Sequence, residues 1–217
     1  MSSISHPSAL YHQFNDLEQQ HESYYLGMWV FLVTEVMFFG GLFGAYTIYR
    51  FRFPEAFTEG SNHLNLWLSF TNTAVLLCSS LAIALAVRGA QLGRRKILIG
   101  FLLLTVVLGA AFLGLKGFEY YEEYQEHLIP GLNFSLDSPH ANQVELFFVL
   151  YFSMTGLHAI HMILGIAAIL VLTFLSWRNW FSPDYYAPIE MMGLYWHFVD
   201  IVWVFLFPLL YLISRAA

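Results

Sequence analysis

Five long segments with almost no charged side chains limit the folds that are open to this 217-residue chain. The segments are residues 24–49, 60–87, 97–115, 146–177 and 187–214, and their only Asp, Glu, Lys or Arg residues are Glu35, Glu190 and Asp200. A helix of about 20 apolar residues crosses the hydrocarbon core of a membrane, and each segment is long enough to do so. The sequence therefore predicts an all-α fold, a polytopic membrane helix bundle with five transmembrane helices.

Composition excludes several other classes of protein. Apolar residues make up 58% of the chain and charged residues only 11%, which is less than half the usual share in a soluble domain. With nine Lys and Arg residues and a net charge of −6, the chain has no basic face for nucleic acid, and no nucleic-acid partner is expected. The lone Cys78 excludes a disulfide framework and any metal site built on several cysteines.

The charge pattern also predicts the domain organisation. The spans are predicted at residues 24–49, 66–87, 97–115, 144–177 and 188–214. We predict a polar N-terminal arm at residues 1–23 and a single five-helix transmembrane domain at residues 24–217. Ser138 and Pro139, a hydroxyl cap followed by a proline in the first turn, predict that the fourth helix begins there.

The connection between the second and third spans predicts the orientation of the chain. It reads RGAQLGRRK at residues 88–96, and a short loop with four basic residues is expected on the cytoplasmic side. The N-terminus and the loop with Arg178 are then inside, while the C-terminus and the connections at residues 50–65 and 116–143 are outside. The acidic run EYYEEYQEH at residues 119–127 is predicted to be a solvated helix end, with a docking surface for a basic partner as the alternative.

The first span contains a carboxyl group and three glycines. Glu35 is predicted near the membrane midplane, where an isolated carboxylate costs at least about 2.5 kcal/mol. Its function is either proton handling or a polar contact with lipid or a neighbouring subunit, and the alternative is a neutral acid that bonds to another helix. Gly40, Gly41 and Gly44 are predicted to allow close approach of another helix.

Two further pairs of ionisable residues lie within the predicted spans, each at i, i+3 spacing. His158 and His161 share a helical face, and so do His197 and Asp200. We interpret each pair as a structural hydrogen-bonding pair. A metal site is disfavoured, because a di-metal helical bundle needs Glu-x-x-His partners on paired helices, and none of the predicted spans contains that motif.

Four segments, taken in order, carry a resemblance to one known family. They are GMWVFLVTEVMFFGGLF at residues 27–43, LKGFEYYE at residues 115–122, FSMTGLHAIHMILG at residues 152–165 and YWHFVDIVWVFLF at residues 195–207. Together they closely resemble subunit III of the haem–copper cytochrome c oxidases. The chain is similar to the five-helix short form of that family, which lacks the first two of seven helices, and this agrees with the orientation inferred above.

The resemblance implies a non-catalytic subunit of a proton-pumping terminal oxidase, whose complex passes electrons from cytochrome c to oxygen in aerobic respiration. It implies that this chain holds no haem or copper, which belong to the partner subunits I and II, and that it packs against the catalytic subunit. It also implies bound phospholipid and support of proton uptake and lasting turnover, in a bacterial plasma membrane rather than a mitochondrial inner membrane. The family's polar membrane residues map onto Glu35, His158, His161, His197 and Asp200, which are the candidates for proton support or for lipid and subunit contact.

Other functions stay open at this point. Third subunits of quinol oxidases and proteins associated with nitric oxide reductases share the five-helix plan, and the electron donor is bound by another chain. A free-standing proton-coupled carrier could use Glu35, His158, His161 and Asp200 as a relay. Another respiratory complex is a further candidate partner, through the long fourth helix and the acidic outer loop.

Overall fold

The structure is a computed structural model, and it describes Phe14, residues 16–182 and residues 185–212, except for the side chains of Leu17 and His21. Its helices are α1 (Leu17–Arg52), α2 (Pro54–Asn62), α3 (Leu66–Gln91), α4 (Arg95–Gln125), α5 (Ala141–Trp177) and α6 (Ala187–Tyr211). All of them except α2 are long and apolar enough to cross a membrane. The predicted bundle of five transmembrane helices is therefore confirmed.

The first helix begins inside the segment that was predicted to be a polar arm. Asp16 caps α1, because its side chain accepts a hydrogen bond of 2.7 Å from the backbone N–H of Gln19. The helix therefore starts at Leu17 rather than at residue 24. The first thirteen residues of the predicted arm lie outside the described residues.

The predicted start of the fourth transmembrane helix is wrong. This helix, α5, begins at Ala141, and its N-cap residue His140 makes no side-chain capping bond. The Ser138 hydroxyl accepts a hydrogen bond from the backbone N–H of His140 and donates one of 3.0 Å to Oε2 of Glu59 in α2. Ser138 thus ties the connection to α2 instead of capping α5.

The short helix α2 lies in the connection for which no helix was predicted, and it packs against the N-terminal half of α5. Phe57 is fully buried, and a Cβ atom at Gly60 would lie 2.5 Å from the Phe147 ring, so only glycine fits there. The hydroxyl of Ser61 donates a hydrogen bond of 2.8 Å to the backbone carbonyl of Leu210 near the end of α6. Because the last carbonyls of a helix have no partner within it, this bond satisfies one of them at the C-terminal end of α6.

The long helices form a bundle with α3, α4, α5 and α6 at its centre and α1 at its edge. α3 and α4 make an antiparallel hairpin, and α6 packs between α3 and α5. The helices pack tightly at Trp196 of α6, since a Cβ atom at Gly109 or at Gly165 would lie 2.9 Å from its ring. α1 packs against α5 and α6 and leaves large apolar side chains exposed, such as Met37 and Ile48.

The prediction about the α1 glycines is wrong within this chain. A Cβ atom added at Gly40, Gly41 or Gly44 would meet no atom within 4 Å. Small residues allow close packing only where a second element is present, and here that condition is met in α4 and α5 instead of α1.

Candidate functional site

A carboxyl–imidazole pair joins α1 to α5. Glu35 lies near the middle of α1, and its Oε2 is 3.0 Å from Nε2 of His161 near the middle of α5. The second ring nitrogen of His161, Nδ1, is 2.9 Å from the backbone carbonyl oxygen of Leu157. Both side chains are largely buried, with 18% of Glu35 and 11% of His161 exposed.

The geometry of this pair limits the positions that its protons can take. A backbone carbonyl only accepts hydrogen bonds, so Nδ1 of His161 carries a proton. The contact between Nε2 and the Glu35 carboxyl group then holds one more proton, which sits on the carboxyl in a neutral pair or on the imidazole in an ion pair. The pair can therefore hold one exchangeable proton between α1 and α5.

The predicted pairing of His158 with His161 is wrong. His158 is 1% exposed and lies between the rings of Phe112 and Trp203, with ring centroids 5.5 and 5.2 Å away. Neither of its ring nitrogens has a hydrogen-bond partner among the described residues. Although the two histidines share a helical face, His161 points to α1 and His158 to α4 and α6. Within the described part of the chain, no group of three or more His, Cys, Asp or Glu side chains is arranged to hold a metal ion.

The predicted bond between His197 and Asp200 is also wrong. Nδ1 of His197 is 2.7 Å from the hydroxyl of Ser80 in α3. Asp200 is buried without a directed hydrogen bond from the described residues, although Ser80 is close enough to act on its carboxyl group. Both side chains therefore face α3, and the polar group close to both of them is the Ser80 hydroxyl of that helix.

Hydroxyl groups of α3 bond to α6 at two further positions. The indole N–H of Trp196 donates a hydrogen bond of 2.8 Å to Ser79, and that of Trp203 donates one of 3.1 Å to Thr73. These residue types look unremarkable in a sequence, but along α3 they form a row of acceptors for α6.

Sequence reasoning missed a buried lysine that joins three helices. Nζ of Lys116 in α4 donates hydrogen bonds of 3.1 Å to Glu119, 2.7 Å to the hydroxyl of Tyr151 in α5 and 2.7 Å to the hydroxyl of Tyr211 in α6. Glu119 accepts bonds of 3.2 and 2.5 Å from the two tyrosine hydroxyls. We call these four side chains the Lys116 network.

The Lys116 network satisfies its buried charges. Lys116 and Glu119 are each 2% exposed, and all three N–H donors of the ammonium group have an acceptor. Four aromatic rings also have their centroids 4.6 to 5.4 Å from Nζ, within the range of cation–π attraction. A buried ion pair persists in such a setting because every polar atom is bonded.

The sequence signal for this network is the spacing of Lys116 and Glu119, which puts opposite charges one helical turn apart. The predicted span ends at residue 115 and so places both residues in the outer loop. The helix continues to Gln125, because the polar side of its last turns is buried. The acidic run is therefore not simply a solvated helix end, since Glu119 and Glu123 are buried.

The concave surfaces on the described part of the bundle include an apolar one and an acidic one. An apolar cleft of about 600 Å³ lies between α1, α5 and α6 and is lined by side chains that include Met28, Phe31, Ala168, Met191 and Tyr195. A groove of about 580 Å³ lies beside the C-terminal end of α4 and the connection from α2 to α3. We call these the apolar cleft and the acidic groove.

Comparisons with known proteins agree on one family. The family model described as cytochrome c oxidase subunit III matches residues 11–215. The chain is 32% identical over 195 residues to the cytochrome c oxidase subunit 3 of Thermostichus vulcanus, covering 88% of this chain and 87% of the relative. It is 33% identical over 190 residues to that of Alkalihalophilus pseudofirmus, covering 88% and 86%. It is also 30% identical over 206 residues to the probable quinol oxidase subunit 3 of Staphylococcus saprophyticus, covering 94% and 96%.

The fold and its polar helix contacts define an integral membrane protein that holds its ionisable groups between helices. The chain belongs to the cytochrome c oxidase subunit III family, which confirms the resemblance found in its sequence. It is thus a third subunit of a haem–copper terminal oxidase and part of a complex with the other oxidase subunits.

The Lys116 network predicts a specific pattern of stability changes. Lys116→Met should lower the free energy of unfolding by about 3 kcal/mol, because Glu119 would stay buried without its cation. The double variant with Lys116→Met and Glu119→Gln should lose less free energy of unfolding, since it leaves no unpaired carboxylate at position 119. Thermal unfolding of the detergent-solubilised protein measures both, with Lys96→Met at an exposed lysine of α4 as the control. Equal stability of the Lys116 and Lys96 variants would contradict the role of the network.

Proposed function

We propose that this chain is the non-catalytic subunit III of a proton-pumping cytochrome c oxidase of aerobic respiration. It packs against the catalytic subunit I, with subunit II as a further partner, holds phospholipid and sustains proton supply and turnover. The observation that carries the proposal is that its ionisable side chains bond to one another across helices, as Lys116 does with Tyr151 and Tyr211, and Glu35 with His161. Side chains engaged in this way hold helices together, and the haem and copper of the reaction are assigned to the partner subunits.

The proposed location is a bacterial plasma membrane with the N-terminus inside and the C-terminus outside. Arg95 supports this orientation, because its guanidinium donates hydrogen bonds to the backbone carbonyls of Ser176 and Trp177. The start of α4 is thereby fastened to the end of α5. The basic residues 94–96 and Arg178 then lie at one end of the bundle, as the positive-inside rule requires.

The electron donor of the complex is proposed to be cytochrome c, with quinol as the alternative. Relatives of both names are similar to this chain, at 32% and 33% identity for the two cytochrome c oxidase subunits and 30% for the probable quinol oxidase subunit. The third subunit carries no donor site in either case under this proposal.

Affinity purification at native expression tests the proposal. A tag on this chain should recover haem-bearing chains in a fixed ratio, and the recovered complex should oxidise reduced cytochrome c. Oxidation of quinol without oxidation of cytochrome c would select the alternative donor. Recovery of the chain alone would contradict a subunit and favour a free-standing carrier.

The apolar cleft is the proposed binding place for phospholipid. Its lining comes from α1, α5 and α6, and its volume of about 600 Å³ suits acyl chains rather than a polar ligand. α1 touches the rest of the bundle less extensively than α3, α4 or α6 do, so an acyl chain in the cleft would add apolar contact between α1 and α5.

Filling the cleft tests this lipid site. Ala168→Phe should place a ring in the cleft and lower the phospholipid that co-purifies with the complex by about one molecule per copy. Ala167→Phe is a matched control, because Ala167 is the exposed neighbour that does not line the cleft. Lipid phosphate per haem measures the effect, and equal lipid content in the two variants would rule out the cleft as the site.

Support of proton supply is proposed for the pair of Glu35 and His161, with His158, His197 and Asp200 in structural contact with neighbouring helices. The pair holds one exchangeable proton between Oε2 and Nε2, at a position where 18% of the Glu35 side chain is exposed. That exposure gives the carboxyl group access from outside the bundle.

Substitution of Glu35 separates proton support from packing. Glu35→Gln keeps the shape and a hydrogen bond to His161 but removes the acidic proton, so haem content should stay unchanged while turnover declines faster during sustained activity. Oxygen consumption over many turnovers measures this, with Glu18→Gln at an exposed site of α1 as the control. Unchanged durability would remove the proposal, and loss of haem would instead assign Glu35 to assembly.

A further inference from the structure

The acidic groove contains a carboxyl group that has no partner of its own. Glu123 of α4 is 3% exposed, lines the groove, and has no hydrogen bond to either carboxyl oxygen from the described residues. Three other glutamates line the same groove, namely Glu119, Glu122 and Glu126. Burying an unpaired carboxylate is costly, so this arrangement favours a ligand that brings a positive charge.

The Lys116 network does not supply that charge. Lys116 is close enough to act on Glu123 electrostatically, but its three donors are bonded to Glu119, Tyr151 and Tyr211. The Tyr151 hydroxyl also acts on Glu123, but it already donates a hydrogen bond to Glu119. The cation and the hydroxyl that act on Glu123 are thus both bonded to other groups.

The lining of the groove favours an organic cation over a metal ion. Within the described residues, the glutamates of the groove and His63 do not form a group of three or more that could hold a metal ion. The groove is also far larger than an ion, at about 580 Å³. Phe118 and Tyr121 line it with exposed aromatic rings, which attract ammonium and guanidinium groups.

The depth of Glu123 indicates the kind of partner that brings the cation. A charge that reaches a carboxyl group with 3% exposure leaves water almost completely. Buried charge pairs of this kind slow dissociation, whereas the long-range steering of a diffusing partner depends on exposed rim charges. The groove therefore suits a permanent neighbour in the membrane complex rather than a transient electron donor.

We propose that the acidic groove receives a lysine or arginine side chain from a neighbouring chain of the oxidase complex, and that this side chain pairs with Glu123. The proposal rests on the proposed function, since it requires that the chain is held in such a complex. The pairing assigns a subunit contact to the C-terminal end of α4, next to the Lys116 network.

The structure of the whole complex, determined by cryo-electron microscopy in lipid nanodiscs, tests the proposal. The expected result is a lysine or arginine nitrogen of another chain within about 4 Å of a Glu123 carboxyl oxygen, a salt-bridge distance. Only water, a lipid headgroup or a metal ion at that position, in a complex with haem-bearing chains, would overturn this inference alone. Purification without haem-bearing chains would overturn the proposed function and this inference with it.

A matched pair of variants gives a second measurement. Glu123→Gln should reduce the fraction of this chain that stays with the haem-bearing chains after a wash at high salt, by at least about tenfold, because the neighbour's cation would be left unpaired. Glu126→Gln removes the same charge at an exposed position of the groove and should change retention little. Equal retention of both variants would contradict the pairing with Glu123.

Discussion

A polar side chain inside a bilayer finds its partner within the protein or stays unsatisfied, and the Lys116 network shows how this constraint shapes the bundle. The ammonium group of Lys116 needs three acceptors, and one comes from its own helix and two from α5 and α6. Satisfying one side chain thus fixes the relative position of three helices. Trp196 fixes a second point, because its ring lies against Gly109 and Gly165 while its N–H bonds to α3.

The same constraint explains why α1 is different from the other helices. It contacts α5 and α6 less extensively than α3 contacts α4 and α6, and its polar contacts with them include the Glu35 contact with His161 and the bond of 2.8 Å from the Tyr46 hydroxyl to the carbonyl of Leu209. These two contacts hold α1 at two heights, and the apolar cleft lies on the N-terminal side of Glu35 along the helix. α1 thus contributes side chains both to the apolar cleft and to the pair of Glu35 and His161.

The sequence predicts the five spans correctly because scarcity of charge is a direct consequence of burial in hydrocarbon. It fails at the end of α4, where charged residues are present but face the protein, so that charge no longer marks the edge of the membrane segment. The spacing of His197 and Asp200 shows correctly that they share a face, yet their polar neighbour Ser80 comes from another helix. Spacing within one helix does not reveal which residues of other helices lie opposite, and for this reason Tyr151 and Tyr211 could not be assigned to Lys116.

We propose that this chain supports an oxidase whose chemistry takes place in other subunits. The most direct measurement removes the chain from the purified complex and records the visible haem spectrum and the oxygen consumption before and after removal. We expect an unchanged haem spectrum, an initial rate close to that of the whole complex, and a faster decline of activity with turnover. Loss of the haem absorption together with this chain would contradict this proposal.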